Sequence, residues 1–362
     1  MKRVNLLMIA VMVAAIVSSI KRVLRHSCFA LLAACFIFNG CFKDIDDFYP
    51  SAAGMSRPKA GDVYAVGNID YNGERRGVIW KNGNGYMLES VNSVTISSEA
   101  HSVFVSGNDV YVVGEDDCAV LWKNGVKTEL SDVLSSYASS VFVSGNDVYV
   151  AGTVNSKVVL WKNGVATELP YDYGNYASAS NLSVFVSGND VYVAGTVSGN
   201  AVLWKNGIPT KLSTNESQAH SIFVSGNNVY VAGWVRPTKS SSTKAILWKN
   251  GVATELSENG EAYSVFVSGN DVYVTGFDRD RSGVTKHWMW KNGVVTELPD
   301  GCGSYALFVS GNDWYLPGYY RAGTNNKFND LAALFKNGAI TKLEAPKKKH
   351  FKSWVDSIFV VE

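Results

Sequence analysis

The sequence predicts an all-β protein in which seven four-stranded units close into a ring, and three observations predict it. The first is self-similarity. From Gly61 onward one unit recurs seven times, with copies 38 to 51 residues apart, the spacing of a four-stranded blade. The second is texture. Short, nearly continuous apolar runs alternate with Gly-Asn and Asn-Gly pairs, as expected for strands covered on both faces and joined by tight turns. The third is a count. The repeat starts on the second strand of one unit and ends on the first strand of another. Together these read as a seven-bladed β-propeller over 61–362, its ring closed when the C-terminal strand joins the N-terminal blade.

The first 60 residues stand apart. Val4 to Ile20 follows Met1-Lys2-Arg3, and Ser27 to Gly40 follows the basic run Lys21 to His26. Each has the basic and apolar regions of an export signal. Val4 to Ile20 would reach about 25 Å as a helix, marginal for a bilayer, so 1–20 reads as an anchor or an upstream extension. The second stretch, 21–40, resembles a bacterial lipoprotein signal peptide, in which a cysteine after small residues is lipidated and becomes the new N-terminus. Cys35, after Leu32-Ala33-Ala34, and Cys41, after Gly40, compete for that role. Cys35 fits the usual pattern of small residues better, but it would leave a short apolar region and put Phe36-Ile37-Phe38 in the mature tether. After Cys41 the chain turns polar at once, with Lys43, Asp44, Asp46 and Asp47. Cys41 is the expected lipidation site and 41–60 a flexible tether. The expected location is the bacterial cell envelope, lipid-anchored to a membrane, periplasmic or surface-exposed.

Within each repeat the strands follow in order. Strand a is the Val-Phe-Val run, centred on Phe104, Phe142, Phe185, Phe223, Phe266, Phe308 and finally Phe359. Strand b carries the tyrosine of Asp-Val-Tyr-Val, from Tyr64 to Tyr315. Strand c ends in Trp-Lys-Asn-Gly, which begins at Trp80, Trp122, Trp161, Trp204, Trp248 and Trp290, with Phe335 in the seventh copy. Strand d holds Thr with Glu or Lys, suiting a solvated outer edge. Asn-Gly between c and d supplies positive φ for a type I′ turn, and Gly-Asn between a and b is expected to do the same. A membrane barrel would need alternating strands of about 9–11 residues, which these are not.

Composition excludes some functions. There are 33 basic and 32 acidic residues, too even a balance for broad capture of nucleic acid. No Cys or His spacing suits zinc, and Cys118 and Cys302 fall two blades apart. No cofactor is expected. The a–b and c–d turns, uniform in every copy, emerge on one face, and the divergent b–c and d–a loops on the other, which is therefore the candidate binding face. Positions just before strand a should rim the central channel, among them His101, His220, Tyr263 and Asp356. The loops add Tyr173, Tyr176, Trp234, Arg236, His287, Tyr319, Tyr320 and Arg321. Aromatic and arginine side chains together suit sugar stacking or a protein hot spot. His101 and His220 stand three blades apart, so no metal site is expected.

The blades resemble the β-propeller superfamily, without the Gly-His…Trp-Asp pairing of WD40 repeats, the kelch Gly-Gly or a sialidase Asp-box. The repeat looks most like those of bacterial lipoproteins with four-stranded blades of about 40 residues, a resemblance that carries over no functional residue. The expected function is non-catalytic: a monomeric, membrane-anchored propeller binding glycan or envelope protein. The alternative is a polysaccharide-active hydrolase or lyase at the channel mouth, with Asp116-Asp117 or Asp278 and Asp280 as acid and base.

Overall fold

Each repeat folds as an antiparallel meander because its apolar runs are cut by turns that only a few residue types can make. The computed structural model describes residues 49–71, 73–90, 97–171, 179–239, 241–280, 282–303, 305–322, 329–344 and 351–362. Cys35, Cys41, Tyr173 and Tyr176 lie outside them. No helix among the described residues is long and apolar enough to cross a membrane.

Among the described residues, 28 strands form seven four-stranded sheets, the blades. Blade 1 is composite: β28 (Phe351–Val360), β1 (Val63–Tyr71), β2 (Glu74–Lys81) and β3 (Asn84–Met87), in that order. Blade 2 holds β4 (Ser98–Ser106), β5 (Asp109–Asp116), β6 (Cys118–Lys123) and β7 (Val126–Glu129). Blades 3 to 7 repeat the plan, their innermost strands being β8 (Ser136–Ser144), β12 (Ala179–Ser187), β16 (Glu216–Ser225), β20 (Gly260–Ser268) and β24 (Phe308–Ser310). Closure is as predicted: β28 pairs antiparallel with β1 from Val63↔Val360 to Tyr71↔Phe351.

All seven c–d turns have Asn at φ 47–53° followed by Gly at φ 80–99°, the type I′ pattern. The a–b turns differ from expectation. Only their glycine, at φ 56–60°, is positive, and the following Asn is not, which is the pattern of a type II′ turn.

The cores lie between blades. Tyr111, Val113 and Ala119 of blade 2 pack against Ala138, Val141, Val150 and Trp161 of blade 3, and the scheme repeats around the ring. Trp80, Trp122, Trp161, Trp204 and Trp248 of strand c are fully buried, and three of them bridge neighbouring blades through the ring N–H. Trp122 donates to the Glu89 carbonyl at 2.6 Å, Trp161 to Leu130 at 2.9 Å and Trp204 to Pro170 at 2.8 Å. At the inner edge, backbone N–H groups of Val103, Val141, Val184, Ile222 and Val265 donate to serine hydroxyls of the preceding blade.

The repeated polar residues are structural. In blade 3 Lys162 pairs with Asp147 at 2.8 Å and lies over the Tyr149 ring, while Asn163 donates to the same Asp147. Blade 5 has Asn228 in place of the aspartate, and Asn250 bonds it instead. Part of the segment read as tether lies on the propeller. Tyr49 and Ala52 are buried, and the Tyr49 hydroxyl donates to the Glu344 carbonyl at 2.6 Å.

Candidate functional site

The seven strand a phenylalanines form a closed belt. Each ring touches the next, from Phe104–Phe142 at 4.8 Å round to Phe308–Phe359 at 5.1 Å and Phe359–Phe104 at 4.9 Å. A heptagon of such sides has a radius of about 5.6 Å to the ring centroids. Once the thickness of the rings (about 1.8 Å to the carbon surface) is removed, the channel is an apolar waist.

Above the belt, on the side of the divergent loops, six inner strands slip register at equivalent places. The residues left unpaired are Asp356, His101, Ser139, Asn181 with Leu182, His220 and Tyr263. A bulge of this kind re-aims a side chain, and here it does so around one circle. Strand b makes room for it. A Cβ on Gly114 would stand 1.8 Å from the Glu99 carbonyl oxygen, and one on Gly233 1.9 Å from that of Gln218. The rim positions named from sequence are thus the bulged ones, except in blade 7, whose inner strand begins only at Phe308.

One side of the mouth is acidic. Glu99 and Glu115 face each other in the β4–β5 register, and His101 follows on the bulge. Their ligand atoms all lie within 4.8 Å of one another. Arg75 forms an ion pair with Glu99 and lies 5.0 Å over the Trp354 ring. Asn68 donates to Asp356 at 2.7 Å and accepts from the Ala100 N–H at 2.9 Å. Burial, reinforced by the Glu99 charge, pushes Asp356 up to about 7, and the same causes raise Glu115. Burial lowers His101.

The opposite side is aromatic. His220 stacks on Tyr263 at 4.7 Å and 11°, Tyr263 stacks on Phe277 at 5.6 Å, and the exposed Tyr305 leans on Tyr263 at 4.7 Å. Nδ1 of His220 donates to the Ala262 carbonyl at 3.0 Å, and Nε2 lies 3.2 Å from the Gln218 amide, which Asn181 also meets. Burial holds His220 down at about 4, so the ring is neutral. The Tyr263 hydroxyl donates to Glu261 at 3.0 Å.

The loop residues do not join this rim. His287, Tyr319 and Tyr320 instead line a cavity of about 740 Å³ between blades 6 and 7, with Lys286, Glu297 and Asp300. Trp234 is buried, with Arg236 5.1 Å over its ring and paired to Glu216 at 2.7 Å. The Arg321 side chain lies outside the described residues. The loop aspartates have structural work. Asp116 is buried in an ion pair with Lys127 at 2.8 Å, Asp278 accepts from the Trp288 ring N–H at 2.8 Å, and Asp280 closes its own turn through Ser282 and Val284. Cys118 and Cys302 are free and buried.

Sequence reasoning missed Glu99, Glu115, Asn68, Trp354 and Tyr305 as rim residues. Laid side by side, the copies contain the signal. The residue after the strand b glycine is Asn68, Glu115, Thr153, Thr196, Trp234, Phe277 and Tyr319 in turn, a divergent column inside an otherwise uniform strand.

The sequence matches no family profile and no curated protein. Among solved structures it is similar to the β-propeller domain of the Trilobed protease from Pyrococcus furiosus (10% identity, TM-score 0.50, 85% of this chain and 99% of that one). It is also similar to a puromycin-hydrolyzing peptidase of Mycobacterium tuberculosis (13%, 0.48, 82% and 55%) and to the computationally designed Ika8 protein (18%, 0.43, 69% and 80%). The first of these likenesses supports the propeller fold and no more.

Proposed function

We propose that this propeller is a non-catalytic glycan-binding module, tethered to the bacterial envelope by a lipid on Cys41, which takes saccharide at the channel mouth. The observation that carries the reading is the two-sided rim. The His220–Tyr263–Tyr305 cluster offers apolar ring surface beside amide and carboxylate groups of Asn181, Gln218 and Glu261. Sugars present the matching combination of apolar C–H faces and hydroxyls. The phenylalanine belt below offers a saccharide no hydrogen bonds, which suits capture at the mouth rather than passage.

A second reading, a polysaccharide hydrolase, draws on Asp356. A carboxyl held near 7 beside another carboxylate has the properties of a general acid. One experiment addresses both. The purified full chain is screened against envelope and plant-type polysaccharide fragments by calorimetry, with reducing-end release followed in parallel. Binding that weakens at least tenfold in Tyr263→Ala, without product release, is expected. Retained affinity in that variant would remove the rim from the reading, and release abolished in Asp356→Asn would favour the hydrolase. Metabolic labelling with a fatty-acid probe should mark the wild-type chain and Cys35→Ser but not Cys41→Ser.

A further inference from the structure

The acidic side of the mouth holds a set of donors that neither the fold nor the glycan reading requires. Glu99 and Glu115 are brought opposite by strand register, and the bulge turns His101 beside them, so one imidazole and two carboxylates bring ligand atoms within 4.8 Å. Neither the His101 ring nor the Glu115 carboxylate has a hydrogen-bond partner among the described residues. Both residues are only partly buried, so their polar atoms stay open to an incoming ligand. The bulge-position histidine of blade 5, His220, by contrast has its Nδ1 committed to the Ala262 carbonyl.

Charge points the same way. Glu99, Glu115 and Asp356 gather around a single cation, Arg75, which engages Glu99 through one guanidinium nitrogen and leaves its buried Nε unpaired. Three carboxylates against one guanidinium leave an excess of negative charge in a half-buried place. A divalent cation would relieve that excess, and a proton would do so only in part.

We propose that Glu99, His101 and Glu115 bind one first-row divalent metal ion, of the Zn²⁺ class, at the channel mouth. An imidazole with two carboxylates suits such an ion better than Ca²⁺ or Mg²⁺, which prefer all-oxygen sets. Ligand atoms within 4.8 Å of one another need side-chain rotation to draw in to about 3.4 Å apart, the separation that places them about 2.0–2.2 Å from a shared tetrahedral centre. Glu99 offers its second oxygen while the first keeps Arg75. Three protein ligands leave at least one coordination position open toward the mouth, where a ligand hydroxyl or a water completes the shell.

The inference stands apart from the glycan reading, because the ion is measured with no saccharide present. The full chain, stripped with EDTA and dialysed, is titrated with Zn²⁺ by calorimetry, with Mn²⁺, Ca²⁺ and Mg²⁺ in parallel. Bound zinc is counted by atomic spectroscopy. One equivalent of Zn²⁺ at micromolar affinity or tighter is expected, with weaker Mn²⁺ and no competition from Ca²⁺. His101→Ala and the isosteric Glu115→Gln should each weaken binding at least tenfold, whereas His220→Ala should leave it unchanged. Circular dichroism melts without metal identify any variant that fails to fold, and Glu115→Gln, which preserves size and shape, then carries the comparison. Substoichiometric zinc, a preference for Ca²⁺ or Mg²⁺, or affinity unchanged in Glu115→Gln would overturn the proposal.

Discussion

At the scale of single residues, this protein separates two kinds of polar side chain. The Asp, Lys, Tyr and Asn of the repeat clamp the turn face in the same way in blade after blade, and being exposed they contribute little individually. The side chains that differ between copies face the other end, where bulges gather them. His220 shows what burial there does. Its folded value, about 4, is depressed below an ordinary 6.5, so the unfolded chain takes up the proton first. Its contribution to stability is complete above pH 6.5 and is lost as the pH falls toward 4. Between pH 7.5 and 4.5 that loss should amount to about 2–3 kcal/mol. Urea melts of wild type and His220→Gln at the two pH values measure it as the difference between their pH-dependent losses. Equal losses in both proteins would show that His220 is not held neutral by burial.

At the scale of the strand, the bulge is the device that turns a structural repeat into a site. A regular inner strand would send alternate residues into the two neighbouring interfaces, with none aimed at the mouth. One extra residue breaks that alternation, and it is tolerated because a glycine stands opposite. Gly152→Ala would place a Cβ 2.2 Å from the Tyr137 carbonyl oxygen, an overlap that backbone must yield to. The expected cost is about 2 kcal/mol or more, read as a lower denaturant midpoint. A midpoint unchanged from wild type would mean that the bulge closes without strain. The glycine was visible in every copy as Tyr-x-x-Gly, yet a glycine in a strand can mark a bulge, a bend or a close contact. Only the pairing partner tells which.

At the scale of the whole ring, stability depends on one late strand. β28 supplies the inner strand of blade 1, places Phe359 in the belt and buries Ile358 and Val360. Burial of such side chains is worth roughly 1.5–3 kcal/mol each, together comparable with the ~5–15 kcal/mol that holds a domain folded. Deleting Ser357 to Glu362 should therefore yield aggregated or protease-sensitive protein. A truncation that melted like the full chain would contradict closure. The blade count and the composite first blade were legible beforehand, because each follows from counting copies along the chain. The docking of Tyr49 on blade 1 was not, since an aromatic outside the repeat carries no period.

By itself the sequence determined the strands, the type I′ turns, the number of blades and the manner of closure. Those features rest on local patterns of apolar runs and Asn-Gly pairs that recur seven times. Tertiary structure alone decided which of the divergent residues meet. Glu99 and Glu115 are joined by register, Asp356 reaches Asn68 from the far end of the chain, and His101 and His220 remain on opposite sides of the mouth. The reason is physical: a strand's pattern states which faces are buried, whereas the aim of a bulged side chain depends on the partner strand and on the curvature of the closed ring.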